Sequence, residues 1–557
     1  MVRATFSGFN TALSALQANQ KRLDITGQNL SNMNTAGYTR QQLEASSLNY
    51  TNPVSHYSNG NETAVGFGVS MDRVSQIRDP YLDIQYRSQS ADCSYTNRLQ
   101  TALNSLSKVL DETTISGIRQ AFDDVLSTLT SMQDPAKVSD PIYESELRTK
   151  MQSVCNLFNQ ASRQITQAEQ NEFQRLTGEG SSEQGDVQKI NDILRQIGDL
   201  NVQIKRNQVA GHPSLELQDE RNLLLDELSG YIPVETRYYK DDAHSGNNAY
   251  DYDANGAVIG KKDWPDDLEV SMNYIDAQGK SQKLILVNGS DLGANGLKKN
   301  YGQLSVLNGN QQTAASVSDP ANISIKFEKA PSYKGNGQAA ADVYAKLNGI
   351  RFEGGSLQAS LDMLQKTGTG KVINGSTAVD DVRGYQYYSG KLDQLASTFA
   401  KSMNDINNGK KHTDQNLLSN STDDSTKDIT AGNIGISKGW TSGTVHISTN
   451  GTNRTDTVLD MIAAMKDTTK LNGKTFADYM NNLSTQLASD SSSNQTALKT
   501  GTTVLNSIQD SRDSLSGVSL DEEATNMMTY VSAYNAASRL MTALDEVLNT
   551  LISNTGA

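Results

Sequence analysis

Asp251, Asp253, Asn255 and Gly256 stand at the spacing of the first half of a calcium loop, in which alternating oxygens encircle one cation and glycine permits the turn. The twelfth position of such a loop needs Glu and is Lys262, so the segment reads as an Asn-Gly hairpin with solvated acidic residues. Gly368-Thr369-Gly370-Lys371 has the form of a phosphate-loop tail, but Val372 occupies the hydroxyl position and Gln365 the first glycine position. His56, His212, His244, His412 and His446 lie far apart, and none forms a His-Glu-x-x-His pattern. A Gly-x-Ser-x-Gly elbow is absent, and neither Cys93 nor Cys155 is paired in sequence with a histidine. Asp521-Glu522-Glu523 offers carboxylates, yet at a helix start they stabilise the dipole by about 0.3 to 1 kcal/mol each, with Ser519 placed to cap. These residues point to no reaction, metal or cofactor, and the chain is expected not to be an enzyme.

The elements that hold these residues are mostly helical. Apolar residues recur at spacings of three and four from Tyr81 to about Leu110, Ile115 to Met132, Tyr143 to about Leu176 and Val187 to about Val209, with a further helix near Leu215 to Leu228. Asp134-Pro135 and Asp140-Pro141 are turn signals between them. Before these helices, Val65, Phe67, Val69 and Met71 alternate with small residues as in a short strand. From Ile232 to about Gly375 helical spacing fades. Short alternating runs such as Leu284 to Val287 and Ile323 to Phe327 appear, with Asn-Gly pairs at Asn255, Asn288, Asn295, Asn308, Asn336 and Asn348. A β-rich insertion is predicted there. Helix returns at Tyr387 to Asn407, strand-like patches follow at Ile434 to Ile436 and Val445 to Ile447, and the chain is helical again from Val458. The predicted fold class is α+β multidomain: long terminal helices and a helical bundle core around an inserted β-rich domain.

A chain of 557 residues has room for about three or four domains. Its formal net charge of −14 gives no electrostatic support for nucleic-acid binding. No secretory signal or membrane-spanning stretch is legible, and two cysteines make no disulfide framework.

The two ends carry matching stripes. Phe6, Phe9, Leu13, Leu16, Gln20, Leu23, Gly27 and Leu30 step by three and four residues, as do Met527, Val531, Tyr534, Met541, Leu544, Leu548 and Leu551. Each stripe seeks a partner, either the other stripe within one chain or a neighbouring subunit. The first helix is expected to run from about Thr5 to Asn32 and to stop at the amide-rich Asn29, Asn32 and Asn34 before Gly37.

Leu23-Asp24-Ile25-Thr26-Gly27-Gln28-Asn29-Leu30-Ser31-Asn32-Met33-Asn34-Thr35-Ala36-Gly37-Tyr38, extended by Thr39-Arg40-Gln41, resembles the N-terminal signature of the bacterial flagellar rod, hook and hook-associated proteins. Ser516-Gly517-Val518-Ser519-Leu520-Asp521-Glu522-Glu523-Ala524, continuing through Tyr530, Tyr534 and Ala543 to Glu546, resembles the hook-associated protein 1 (FlgK) family within that group. Leu217 to Ser229 and Gly354 to Leu357 agree with it, and the likeness fades from Tyr238 to about Asn348. Ala36 departs from the family, where many relatives place Pro.

The resemblance implies a non-enzymatic structural protein, exported by the flagellar type III route without a cleaved signal and polymerised outside the cell as the hook-filament junction. Its implied partners are identical subunits, hook protein below, a second hook-associated protein above and an export chaperone, with no nucleic acid, membrane or cofactor. It divides the chain into an axial helix and Asn-rich motif (1–50), a core first half (51–235), the inserted variable domain (236–350), the core return (351–510) and a C-terminal axial helix (511–557). Subunit packing is implied for Phe6, Phe9, Leu13, Leu16, Leu23, Leu30, Asn29, Asn32, Asn34, Gly37 and Tyr38. Packing and chaperone binding are implied for Met527, Val531, Tyr534, Met541, Leu544, Leu548 and Leu551. Another axial protein of the same group, such as hook protein, or an adhesin displaying the inserted domain at the filament base, are the alternatives.

Overall fold

The computed structural model describes residues 2–555 apart from 49–67, 111–116, 211, 213, 241–249, 253–257, 262–265, 276–279, 290–298, 309–318, 329, 331–342, 346–351, 353, 369–370, 374–375, 379–381, 410–413 and 450. Helix α1 (Val2–Asn32) contains no proline, and its last turn is tied by Ser31 and Asn32 side chains to the carbonyls of Gly27 and Gln28. Gly37 then takes φ 78°, a left-handed turn that a side chain would resist. Strands β1 (Gln41–Ser47) and β2 (Val69–Gln76) form an antiparallel hairpin with a bulge at Glu44/Ala45. Met71 and Val69 of the predicted strand lie in β2, while Val65 and Phe67 lie outside the described residues.

The helical body begins with α2 (Pro80–Leu110), α3 (Ile118–Ser131), the single turn α4 (Pro135–Val138) and α5 (Pro141–Thr177). Asp134 and Asp140 are N-caps, each accepting from the amide two residues on with Pro at the first helical position, so the two Asp-Pro signals both open helices. Gly178, at φ 76°, ends α5. Helices α6 (Asp186–Val209) and α7 (Leu215–Tyr231) follow.

Strands β3 (Glu235–Lys240), β4 (Tyr250–Tyr252), β5 (Val258–Lys261), β6 (Asp266–Ile275), β7 (Ser281–Asn288), β8 (Gln303–Asn308), β9 (Ile323–Glu328) and β10 (Val343–Ala345) form small antiparallel sheets ordered β3-β6-β7, β10-β9-β8 and β4-β5. The β-rich reading is therefore correct for this stretch. Asp251 sits in β4, and Asp253 to Gly256 of the calcium-like run lie outside the described residues, as do the Asn-Gly pairs at 255, 295, 336 and 348. The described strands share one apolar core with the helices. Leu268, Val270, Leu284, Ile325 and Phe327 join the same buried cluster as Ile190, Ile193, Leu194 and Ile197 of α6. Asn191 of α6 accepts from the Leu304 amide at 2.7 Å and donates to its carbonyl at 2.9 Å, so one side chain completes the backbone pairing of β8.

Helix α8 (Ser356–Gln365) corrects the reading of a β texture up to Gly375. Leu357, Ala359, Ser360, Leu361, Asp362, Met363 and Leu364 are all buried, so this helix is covered all round and shows no apolar stripe in sequence. Strands β11 (Lys371–Ile373) and β12 (Ser376–Ala378) precede α9 (Tyr385–Asn408). Strands β13 (Leu418–Asn420) and β14 (Ile434–Ile436) pair next, and α10 (Lys438–Ser442), α11 (Asp456–Lys466), α12 (Phe476–Ser516) and α13 (Leu520–Thr555) complete the chain. Val445 and Ile447 are buried but form no strand, which corrects the second predicted patch.

Phe122 centres the helical core. Its ring meets Phe399 at 5.1 Å and Phe158 at 5.9 Å edge-on, and Phe476 at 5.6 Å, drawing α3, α5, α9 and α12 together. Among the polar groups buried nearby, Glu169 of α5 accepts from Gln386 at 2.6 Å, and burial pushes its carboxyl up from 4.5 to about 7. A proton therefore binds the folded chain more tightly than the unfolded one. The stability this contributes is complete below the unfolded value near 4.5 and lost as pH rises through about 7. Glu169→Gln removes the buried charge. After allowance for solvent screening it is expected to stabilise the chain by about 1 to 2 kcal/mol at about pH 8 and by almost nothing at about pH 4. Urea denaturation at the two pH values checks this, and no gain at the higher pH refutes it.

Candidate assembly interface

Helices α1 and α13 pack against each other within one chain. They run antiparallel: Gly8 faces Leu544, whose Cδ2 would lie 3.4 Å from an added Cβ, the Arg22 guanidinium stands 5.6 Å over the Tyr530 ring, and Arg40 reaches the start of α13. The two terminal stripes thus meet intramolecularly, which decides a question that spacing alone left open.

The pairing covers small residues best. Ala12, Ala18 and Ile25 of α1 and Ala537 of α13 are buried, whereas Phe9, Leu16, Leu23 and Leu30 are only half-buried and Leu13 is 46% exposed. On α13, Met527, Tyr534, Met541, Leu544 and Leu548 are half-buried, with Val531 and Leu551 exposed. Phe6 lies within α1, but its side chain is not among those described. Further apolar residues outside the predicted stripe stand open on α13: Met528 at 66%, Leu540 at 49% and Val547 at 56%. Ala533, Leu540 and Val547 repeat every seven residues, a heptad legible in the sequence but passed over beside the stronger stripe. One helix cannot cover two flanks of another, so the pair keeps apolar surface after closing.

The Asn-rich motif works inside the chain. Asn29 is buried; its amide donates to the Gln41 carbonyl at 3.0 Å, and its carbonyl accepts from the Gln41 amide at 3.0 Å and the Tyr38 hydroxyl at 2.9 Å. In this way Asn29 pairs with β1 as a backbone unit would. Within the chain these bonds fold the hairpin back onto α1. Asn32 bonds its own helix, and Asn34 and Gly37 are exposed, with Gly37 against Leu223 of α7. Thr39 donates its amide and hydroxyl to Asp219 at 3.1 and 2.6 Å, and burial pushes the Asp219 carboxyl up to about 6 despite these bonds.

Arg40, which the sequence offered only as part of a motif, is central here. Its Nη1 lies 2.7 Å from Glu522 and its Nε 2.8 Å from Glu523, and its amide donates to the Ser516 carbonyl at 2.9 Å. Glu523 is buried, so Glu522 and Glu523 of the acidic triplet form one side of an ion pair between the start of α13 and the loop before β1, as well as part of a helix start. Among the described residues no group of three His, Cys, Asp or Glu could hold a metal ion, and no helix is long and apolar enough to cross a membrane.

Two family models coincide with the halves of this interface. The flagella basal body rod protein model matches residues 9–39, and the C-terminal model of the flagellar basal body rod FlgEFG proteins matches 511–554, so the ends are those of a flagellar axial protein. Between them, the model of the helical domain of flagellar hook-associated protein FlgK matches residues 103–256. Flagellar hook-associated protein 1 of Bacillus subtilis (strain 168) is 27% identical over 571 residues, covering 99% of both chains. The proteins of the same name from Salmonella typhimurium and Escherichia coli K12 are 29% and 27% identical over 41% of this chain and 38% and 39% of their own. The chain belongs to the flagellar hook-associated protein 1 family.

Proposed function

We propose that this chain is the structural subunit of the junction between hook and filament in the bacterial flagellum, and that it joins the axial tube through the α1–α13 pair. The observation that carries the second part is the apolar surface left on the closed pair at Leu13, Leu540, Val547 and Leu551. Full burial of such a side chain is worth roughly 1.5 to 3 kcal/mol, and since each is already about half covered, completing it contributes about half of that, which favours lateral packing with identical subunits. Phe9, Leu16, Leu23 and Leu30 pack in the same interface, with hook protein below and a second hook-associated protein above. Export by the flagellar type III route would deliver the assembled protein outside the cell.

An export chaperone is assigned to the face from Met527 to Leu551. Because α1 covers Leu544 of that face, with Gly8 set against it, chaperone and α1 exclude each other there. The chaperone therefore holds α13 before α1 closes on it. Fluorescently labelled subunits test the junction reading. They are expected as a single band between hook and filament, and label running along the hook or lying away from flagella would sink it.

A further inference from the structure

The apolar core does not extend into the joint between the helix pair and the helical body. Its cluster runs from Leu99 to Leu487, and no described residue of α1, the β1–β2 hairpin or α13 belongs to it. What spans the joint is mostly polar. Arg512, near the end of α12, places Nη2 3.0 Å from Asp83 of α2 and 2.7 Å from Asp226 of α7, with its guanidinium 4.2 Å over the Tyr86 ring. Arg87 holds the other oxygen of Asp226 at 2.7 Å, and Arg78 pairs with Asp83 at 2.5 Å and lies 3.7 Å from Asp219. Asp219 accepts from Thr39, the residue beside Arg40, and Gln76 of β2 donates to the Leu215 carbonyl at 2.9 Å.

A polar ladder thus runs from Glu523 of α13 to Arg40, passes through the amide and hydroxyl of the adjacent Thr39 to Asp219 of α7, and continues within the body through Arg78, Asp83, Arg512, Asp226 and Arg87. The side chains of Arg512, Arg87 and Asp83 are only 13%, 4% and 10% exposed, so water screens these pairs weakly. Such bonds are directional. They resist rotation while their geometry holds and lose hold once it is broken, whereas an apolar joint tolerates sliding.

We infer that this ladder is a latch that holds the helix pair at one tilt to the body, and that opening it frees the tilt while leaving both parts folded. The Arg40–Glu523 pair ties α13 to the loop that Thr39 bonds to Asp219 of the body, and Arg512 clamps the end of α12, from which α13 departs, onto α2 and α7. The inference concerns the isolated chain and stands independently of where the protein is placed in a flagellum.

Spin labels at Ser507→Cys on α12 and Asn535→Cys on α13, in a Cys93→Ser background that leaves only the buried Cys155, read the tilt by electron-electron distance measurement. The parent chain is expected to give one narrow distance. Arg512→Gln, which leaves Asp83 with Arg78 and Asp226 with Arg87, is expected to widen the distribution about twofold, with the thermal transition of the body retained. Should Arg512→Gln not fold, the double variant Arg40→Gln/Glu523→Gln decides alone, since it leaves no buried charge unpaired. A distribution as narrow as the parent's in every folded variant overturns the latch, as does broadening that accompanies loss of the body's own transition.

Discussion

Removing residues 2–32 is expected to leave the thermal transition of the helical body within a few degrees of that of the intact chain and to abolish rescue of motility in a strain lacking the protein. The reason is the separation of two apolar systems. The buried cluster that stabilises the body contains no described residue of α1, so the deletion is expected to open no cavity in it. On α13 the effect is opposite. Leu544 loses its cover, and a lone exposed helix is marginal in water. Under the proposed function, the uncovered face should be captured more strongly by an export chaperone while assembly fails. Calorimetry, a swimming assay and a pull-down read the three effects. Motility restored by the truncated chain would refute the assembly role of α1.

Phe122→Ala carries the largest expected single-residue effect, a loss of about 3 to 5 kcal/mol in unfolding free energy by guanidinium titration. Phe122 is wholly buried and touches three further phenylalanines from three other helices, so truncation leaves a cavity that none of them can fill without moving its own helix. By contrast Leu13→Ala, at a site 46% exposed, should cost under about 0.5 kcal/mol in the isolated chain although it lies on the proposed interface. A loss below about 1 kcal/mol at Phe122 would mean that the core is not organised around that ring.

The helices were legible wherever one face is covered and the other wet. The predicted bounds for α2, α5, α6 and α9 fall within a few residues of those observed, because an amphipathic stripe records both period and orientation. Asp134-Pro135 and Asp140-Pro141 read as turn signals, and in the structure each aspartate caps a helix for a local reason, a carboxylate two residues from the amide it caps. Helix α8 escaped notice because burial on every side erases the stripe. Val445 to Ile447 looked like a strand because two buried apolar residues flank the exposed His446, the alternation of a strand without its pairing. In the interface both terminal stripes were visible, yet Arg40 was not, and neither was the inward role of Asn29.

That division has a physical basis. Periodicity, caps, the Asn-rich stop and the acidic helix start are relations among residues within a turn or two, so the sequence by itself determined the helices, the apolar faces of the two ends and the flagellar signature they carry. Tertiary structure decided which part of each face is covered and which charge meets which. Arg40 and Glu523 are separated by 483 positions and meet only because α1 and α13 close antiparallel beside the hairpin. Asn29 likewise turns inward only once β1 folds back to within 3.0 Å of it. Nothing local to either residue specifies such a partner, since a guanidinium or an amide fits many acceptors and the path of the whole chain selects one.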